Sequence, residues 1–391
     1  MQLLESNIQD YKWGDSSFLA LLQGRKPGRK FEAELWMSAH PKSPSKILNS
    51  DETLKDVISR DPERTLGPRA TDFHNELPYI MKVLAIGRPL SLQVHPSEAQ
   101  AEAGYEREAQ LTAPLDDTQR SYLSPRGKEE IVCALTRFDA RFGFRDMAKI
   151  RKILSISKDT EFTELLDLLS IEKTEEENIR DIVSTILNYG SEQIEKMVLP
   201  AIDFLLSGDG LEIGISDEEM ESFAPVIQMY PHDPCVIISL FMNRVILEPG
   251  EALYVPPGTP HLYIKGNAVE VTSNSDNVLR CGLTSKDVNQ KEFLSVAQFT
   301  SQTPTIQKPE SSNHSYESPT EFSLSRLVVT TEWETTVTGP EVLISTEGSF
   351  TIRDLTGETI NVDQGTAVWI PFSDGGYSIS GQALIFRCSA M

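Results

Sequence analysis

The feature that narrows the fold most is a repeat. Gly365-Thr366-Ala367-Val368-Trp369-Ile370-Pro371 matches Gly250-Glu251-Ala252-Leu253-Tyr254-Val255-Pro256, and at the same offset Gly381 matches Gly266. Each copy has a turn glycine, a short apolar segment and a proline, followed by a second apolar run, which is how strands joined by tight turns read. Two copies of one strand and turn unit imply two related β units in the chain. With 391 residues the chain has room for two or three domains. The copies part at one chemically important place, where His261 of the first becomes Gly376 of the second. The first copy carries a ligand-type side chain, and the second keeps only the scaffold.

The remaining sequence sorts by texture. Residues 1–145 alternate short apolar runs with turn signals, as in Ala33 to Met37, Tyr79 to Leu84 and Pro89 to His95, with a short helix expected from Leu54 to Arg60. Ser97 with Gln100 forms a capping box that opens a helix running to Gln110, and Glu130 to Leu135 returns to strand character. Residues 146–231 are helical, with Met147-Ile150-Leu154 and Ile179-Ile182-Ile186-Leu187 at three- and four-residue spacing, and Ser216 with Glu219 gives a second capping box. Strands are expected to resume at Cys235, so that residues 232–300 complete the unit begun by 1–145. A polar linker, Thr300 to Ser318, leads into a C-terminal unit within 301–391, read as short strands throughout. The predicted fold class is mainly β with a helical insertion: two jelly-roll barrels plus an α-helical domain, the site lying inside the first barrel.

Charge excludes some functions. There are 36 basic and 58 acidic residues, a formal charge of -22, which disfavours nucleic acid and anionic membrane as partners. No apolar run is long enough to span a bilayer, and the N-terminus lacks the basic and apolar regions of a signal peptide, so a cytoplasmic location is expected. The four cysteines show no CxxC spacing and read as reduced bystanders, Cys133 and Cys388 within apolar strand-like runs.

His261 follows the Pro256-Pro257-Gly258 turn, where a rigid backbone can aim its ring at a fixed point. Residues two apart on a strand share a face, so Gln93 and His95 project together, with Ser91 beside them. Glu129 and Glu130 open the next strand, and either can supply a carboxylate. These groups offer two nitrogens and two oxygens, a field suited to zinc and tolerant of other divalent metals. Glu270, Asp276, Arg280 and Lys286 follow His261 closely, and Lys82 and Lys128 lie near the other candidates. In so acidic a chain, basic groups around a metal site point to recognition of an anion such as phosphate. The competing reading is an ordinary ion pair between Asp276 and Arg280 at i and i+4.

These residues resemble a known family, the type I mannose-6-phosphate isomerases, zinc enzymes of the cupin superfamily. The resemblance rests on YKWG (Tyr11 to Gly14), AELWMSAHP (Ala33 to Pro41), SLQVHP (Ser91 to Pro96) and SDNVLRCGLTSK (Ser275 to Lys286), and runs the length of the chain. It implies two cupin-type barrels, the C-terminal one metal-free, and one Zn2+ held by Gln93, His95, Glu130 and His261, which selects Glu130 over Glu129. It also implies pocket roles for Arg280, Lys286, Lys82, Ser91, Lys128, Tyr263, Glu270 and Asp276, with Trp13 and Glu34 in the outer wall. The implied reaction interconverts mannose 6-phosphate and fructose 6-phosphate through a cis-enediol. Glu270 and Asp276 are candidate bases, with Lys128, Lys286 or a water on the metal as alternatives; Arg280 can stabilise developing oxyanion charge or bind phosphate, the favoured role being close to the reacting carbons, with Lys286 and Lys128 among the phosphate contacts. The expected partner is a small sugar phosphate, and a monomer is the default. One departure stands out: the family commonly reads His-Lys-Pro-Glu where this chain has Gly127-Lys128-Glu129-Glu130. That leaves open an isomerase or epimerase of another sugar phosphate, or a cupin that binds without catalysis.

Overall fold

The computed structural model describes residues 1–111, 115, 119–155, 160–206 and 215–391. Its strands form two large sheets of 11 and 9 strands, with a run of helices between Met147 and Met229. Three long strands organise the first sheet. His261–Ser273 lies antiparallel between Tyr79–Ile86 on one side and Glu130–Ala134 on the other. Alternation divides each strand between two environments. Tyr79, Met81, Val83 and Ala85, with Ile131, Cys133, Val269 and Val271, join a core that continues into Leu324, Val342, Trp369 and Phe386 of the second sheet. Their neighbours Leu84, Ile86, Val132, Ala134 and Ala268 face the other way, into the interior of the first sheet. Lys82, Glu130 and Glu270 occupy that second phase, so the hydrophobic pattern that packs the sheets together also turns these three charges inward.

The repeat is a repeat in space. Ala252–Val255 and Ala367–Ile370 are both strands, each leading into a long strand that begins at His261 in one copy and at Gly376 in the other. Both long strands take a positive φ at the matched glycines, 122° at Gly266 and 139° at Gly381. A Cβ there would lie 2.7 Å from the carbonyl oxygen of Arg137 in the first copy and 2.7 Å from that of Ser349 in the second. Only glycine meets both demands.

Several expectations need amendment. Cys235–Leu240 is a helix, and strand structure resumes at Met242. All six residues of that helix are buried, so the run shows no polar face by which helix and strand could be told apart. Ser216 caps its helix through the Glu219 amide, but the reciprocal bond is absent because the Glu219 carboxylate pairs with Arg141 and Arg145 instead. The C-terminal unit includes two strands of 14 and 15 residues, longer than the short strands expected. The polar linker is a stitch between sheets: Ile306–Gln307 pairs with Ala252 and Leu253 of the first, and Asn313–Ser315 joins the second. Gln2–Glu5 also crosses over, pairing with Ala367–Ile370. The Leu54–Arg60 helix and the Ser97 capping box stand as read.

Candidate metal centre

Strand register assembles the site. His261 lies opposite Gln93, and Arg280, on Leu279–Gly282, lies opposite Gln93 from the other side. On the neighbouring ladders Glu270 faces Lys82 and Thr272 faces Glu130. The result is a buried cluster in which ligand atoms of His95, Glu130 and His261 all lie within 4.8 Å of one another. Glu130 Oε1 is 3.2 Å from His95 Nε2, and Oε2 is 3.5 Å from His261 Nε2.

The far side of each ring fixes its tautomer. His95 Nδ1 donates to the Asn277 carbonyl at 2.8 Å and His261 Nδ1 to the Thr259 carbonyl at 3.0 Å, which leaves both Nε2 lone pairs aimed into the cluster. Burial holds both imidazoles neutral, lowering His95 to about 3 and His261 below its ordinary value. For Glu130 burial opposes ionisation, but its positive surroundings, with Lys128 donating to Oε1, keep the carboxyl well below its usual range. Glu130 Oε2 is buried with no hydrogen-bond partner among the described residues. The bare Oε2, 3.5 Å from the His261 Nε2 lone pair, and the His95 Nε2 lone pair, 3.2 Å from Oε1, form a set of donor atoms suited to a cation.

Gln93 sits at the edge of this set. Its amide nitrogen is 3.3 Å from His261 Nε2, and its oxygen accepts from Ser91 Oγ at 2.9 Å. Turning the amide over offers the oxygen to the cluster and the NH2 to Ser91, an orientation that suits a cation at the cluster, whereas the amide nitrogen suits the His261 lone pair alone. Glu129, the alternative carboxylate, points elsewhere and interacts with Tyr254.

A second buried pair adjoins the cluster. Lys82 Nζ donates to Glu270 Oε2 at 2.9 Å, and the ammonium lies 5.5 Å from the Trp36 ring centroid. Burial, reinforced by Glu130, raises Glu270 above the ordinary carboxyl range even though Lys82 opposes it. Lys128 Nζ is 2.7 Å from Glu130 Oε1 and 3.3 Å from His95 Nε2, which puts it among the metal-ligand candidates. The Tyr263 hydroxyl is buried beside both glutamates and has no hydrogen-bond partner among the described residues.

The remaining candidates form the rim. Lys286 is exposed and reaches over the Tyr11 ring, 4.4 Å from its centroid. Although the residue as a whole is exposed, desolvation of the ammonium, and then the adjacent charge of Arg280, lower its pKa, and burial lowers that of Arg280 as well. Asp276 pairs with Lys42, which overturns the i and i+4 pairing with Arg280. Glu34 accepts from the Trp36 indole, and Trp13 packs on the interior core with its ring against Tyr11. Sequence reading missed Tyr11, Lys42, Thr259 and Asn277. Tyr11 and Lys42 sit in or beside the motifs quoted above, but Thr259 and Asn277 meet the histidines through main-chain carbonyls, which leave no side-chain signal. Gly127 is closed off: a Cβ there would lie 2.6 Å from Glu98 N and 2.9 Å from the Ser97 carbonyl carbon. The start of the Glu98–Ala109 helix occupies the space that a side chain at 127 would need. A separate cavity of about 840 Å3, lined by Phe142, Tyr254 and Tyr316 among others, includes none of the metal-ligand candidates.

Residues 1–147 match the family model for the catalytic domain of type I phosphomannose isomerase. Mannose-6-phosphate isomerase of Escherichia coli is 34% identical over 303 residues, covering 76% of this chain and 75% of that protein. A mutant phosphomannose isomerase from Salmonella typhimurium superposes with a TM-score of 0.88 at 29% identity, covering 100% of this chain and 99% of that one. A mannose 6-phosphate isomerase structure bound with zinc and yttrium gives 0.87 at 29% identity over the same shares. No described helix is long and apolar enough to cross a membrane.

Proposed function

The chain belongs to the mannose-6-phosphate isomerase family, and we propose from this that it interconverts mannose 6-phosphate and fructose 6-phosphate through a cis-enediol, using zinc held by Gln93, His95, Glu130 and His261. The observation that carries the reading is the convergence of the Glu130 carboxylate, its Oε2 left without a partner, with the two imidazole Nε2 lone pairs, beside the buried Glu270–Lys82 pair. Bound there, zinc supplies Lewis-acid polarisation of the substrate oxygens.

The chain's own groups divide the remaining work. Glu270 moves the proton between C1 and C2; a carboxyl raised by burial is better matched to that task than an ordinary one. Lys82 holds Glu270 in place and tempers its basicity. Lys128 and Arg280 face the oxygens that gain negative charge in the enediol. Lys286, beside Arg280 at the rim, takes the phosphate, with Ser91, Tyr263, Trp13 and Glu34 shaping the pocket. Asp276, tied to Lys42, belongs with the rim more than with the reacting carbons. In architecture, the two sheets are two cupin-type jelly rolls. The catalytic one is formed by 1–145 and 232–300 around a helical domain at 146–231, and residues 301–391 supply the metal-free copy. A cytoplasmic monomer is the matching state.

Gly127 keeps a second reading alive, since the helix start that covers it reshapes the wall where the family commonly carries histidine. A panel of hexose 6-phosphates separates the two. Turnover confined to mannose and fructose 6-phosphates is expected. Turnover of another hexose phosphate without these two would overturn the assignment.

A further inference from the structure

The bond that orients His95 and the bonds that hold the loop leading to Lys128 and Glu130 meet at Asn277. We infer that Asn277 is a positioning residue: its side chain fixes the peptide whose carbonyl orients His95 and pins the loop that delivers Lys128 and Glu130. This rests on the reading that the His95, Glu130 and His261 cluster holds a divalent metal.

Asn277 is fully buried. Its Oδ1 accepts from Leu123 N at 2.7 Å and Ser124 N at 3.1 Å, while Nδ2 donates to Ser124 O at 2.7 Å and Arg126 O at 2.9 Å. Both donor hydrogens and two acceptor positions of the amide are used, so its orientation is determined; turned over, it would set donors against donors. Ser275 Oγ adds a bond to Arg126 O at 3.0 Å. The pinned loop runs through Gly127, whose amide donates to Glu98 Oε2 at 2.6 Å, and then into Lys128 and Glu130. On its main-chain side Asn277 accepts the His95 Nδ1 proton at 2.8 Å. Three residues later the same segment presents Arg280 opposite Gln93. One amide thus ties together the three elements that carry His95, Glu130 and Arg280.

A matched control exists elsewhere in the chain. Asn178 is also buried and also pins a loop, accepting from Ser170 N at 2.9 Å and donating to Ser170 O at 3.0 Å and Thr174 O at 2.9 Å, but it lies in the helical segment. Asn277→Asp and Asn178→Asp each replace an NH2 with an oxygen that faces carbonyls. Zinc affinity is measured by competition with a chromophoric chelator, and the metal-free melting temperature is recorded in excess chelator. Both variants are expected to melt below wild type, but only Asn277→Asp loses zinc affinity, by about 10- to 100-fold. Asn277→Ala, which removes the amide without repulsion, loses affinity in the same direction and serves if the aspartate variant does not fold. Wild-type affinity in the Asn277 variants, or an equal loss in Asn178→Asp, overturns the inference alone. A wild-type protein that takes up no zinc overturns the metal reading along with it.

Discussion

Two of the buried glutamates, Glu130 in the first sheet and Glu341 in the second, are treated in opposite ways. Glu341, in the second sheet, accepts from the Tyr377 hydroxyl at 2.6 Å and from Arg387 Nε at 2.7 Å, with the other Arg387 nitrogen on its second oxygen. Glu130, in the first, keeps Oε2 bare 3.5 Å from His261 Nε2, while Oε1 accepts from Lys128. Both sit on the same kind of scaffold, with matched strands and matched glycines at Gly266 and Gly381. A buried carboxylate saturated by hydrogen bonds completes a fold, whereas one left open awaits a ligand. The difference at His261 and Gly376 is the visible part of this divergence, and the bonding of the two carboxylates is its energetic content.

The comparison predicts a crossed pattern. Glu130→Gln is expected to lower kcat by about 10²–10³-fold or more and to release metal, with a smaller loss of metal-free stability than Glu341→Gln. Glu341→Gln is expected to lose about 3–5 kcal/mol of stability, read from denaturant midpoints, with kcat within about 2-fold of wild type. If both variants fail in the same way, the distinction between the two carboxylates is empty.

A smaller effect sharpens the role of Glu270. Lys82 lowers the Glu270 pKa against burial, so removing its charge raises that pKa further. A base must be ionised to work, so activity falls as pH drops through its pKa, and a higher pKa moves that acid limb upward. Lys82→Met should shift the acid limb of the kcat profile to higher pH by about 1 unit or more. An unmoved limb would remove Glu270 from the role of base.

Much of this was legible in the sequence because it depends on local rules. Gln93 and His95 share a face by alternation, and the two glycine pairs fall at one offset, so both the candidate ligands and the duplicated scaffold could be read from neighbours in the chain. What stayed hidden depends on distant partners. The Lys42–Asp276 pair joins residues 234 positions apart, and nothing near Asp276 announces it. Glu219 satisfies a local capping pattern, yet its carboxylate is captured by Arg141 and Arg145, far away in the chain. Asn277 acts on His95 through a carbonyl that every residue possesses, so its identity shows only in the loop bonds of its side chain.

The most direct test is a coupled isomerase assay with mannose 6-phosphate, run on protein whose metal content is measured in the same sample. Zinc bound at a single site, activity abolished by a chelator and restored by added zinc are the predicted results. Full turnover after the metal has been stripped, or none from the zinc-loaded protein, would contradict the account.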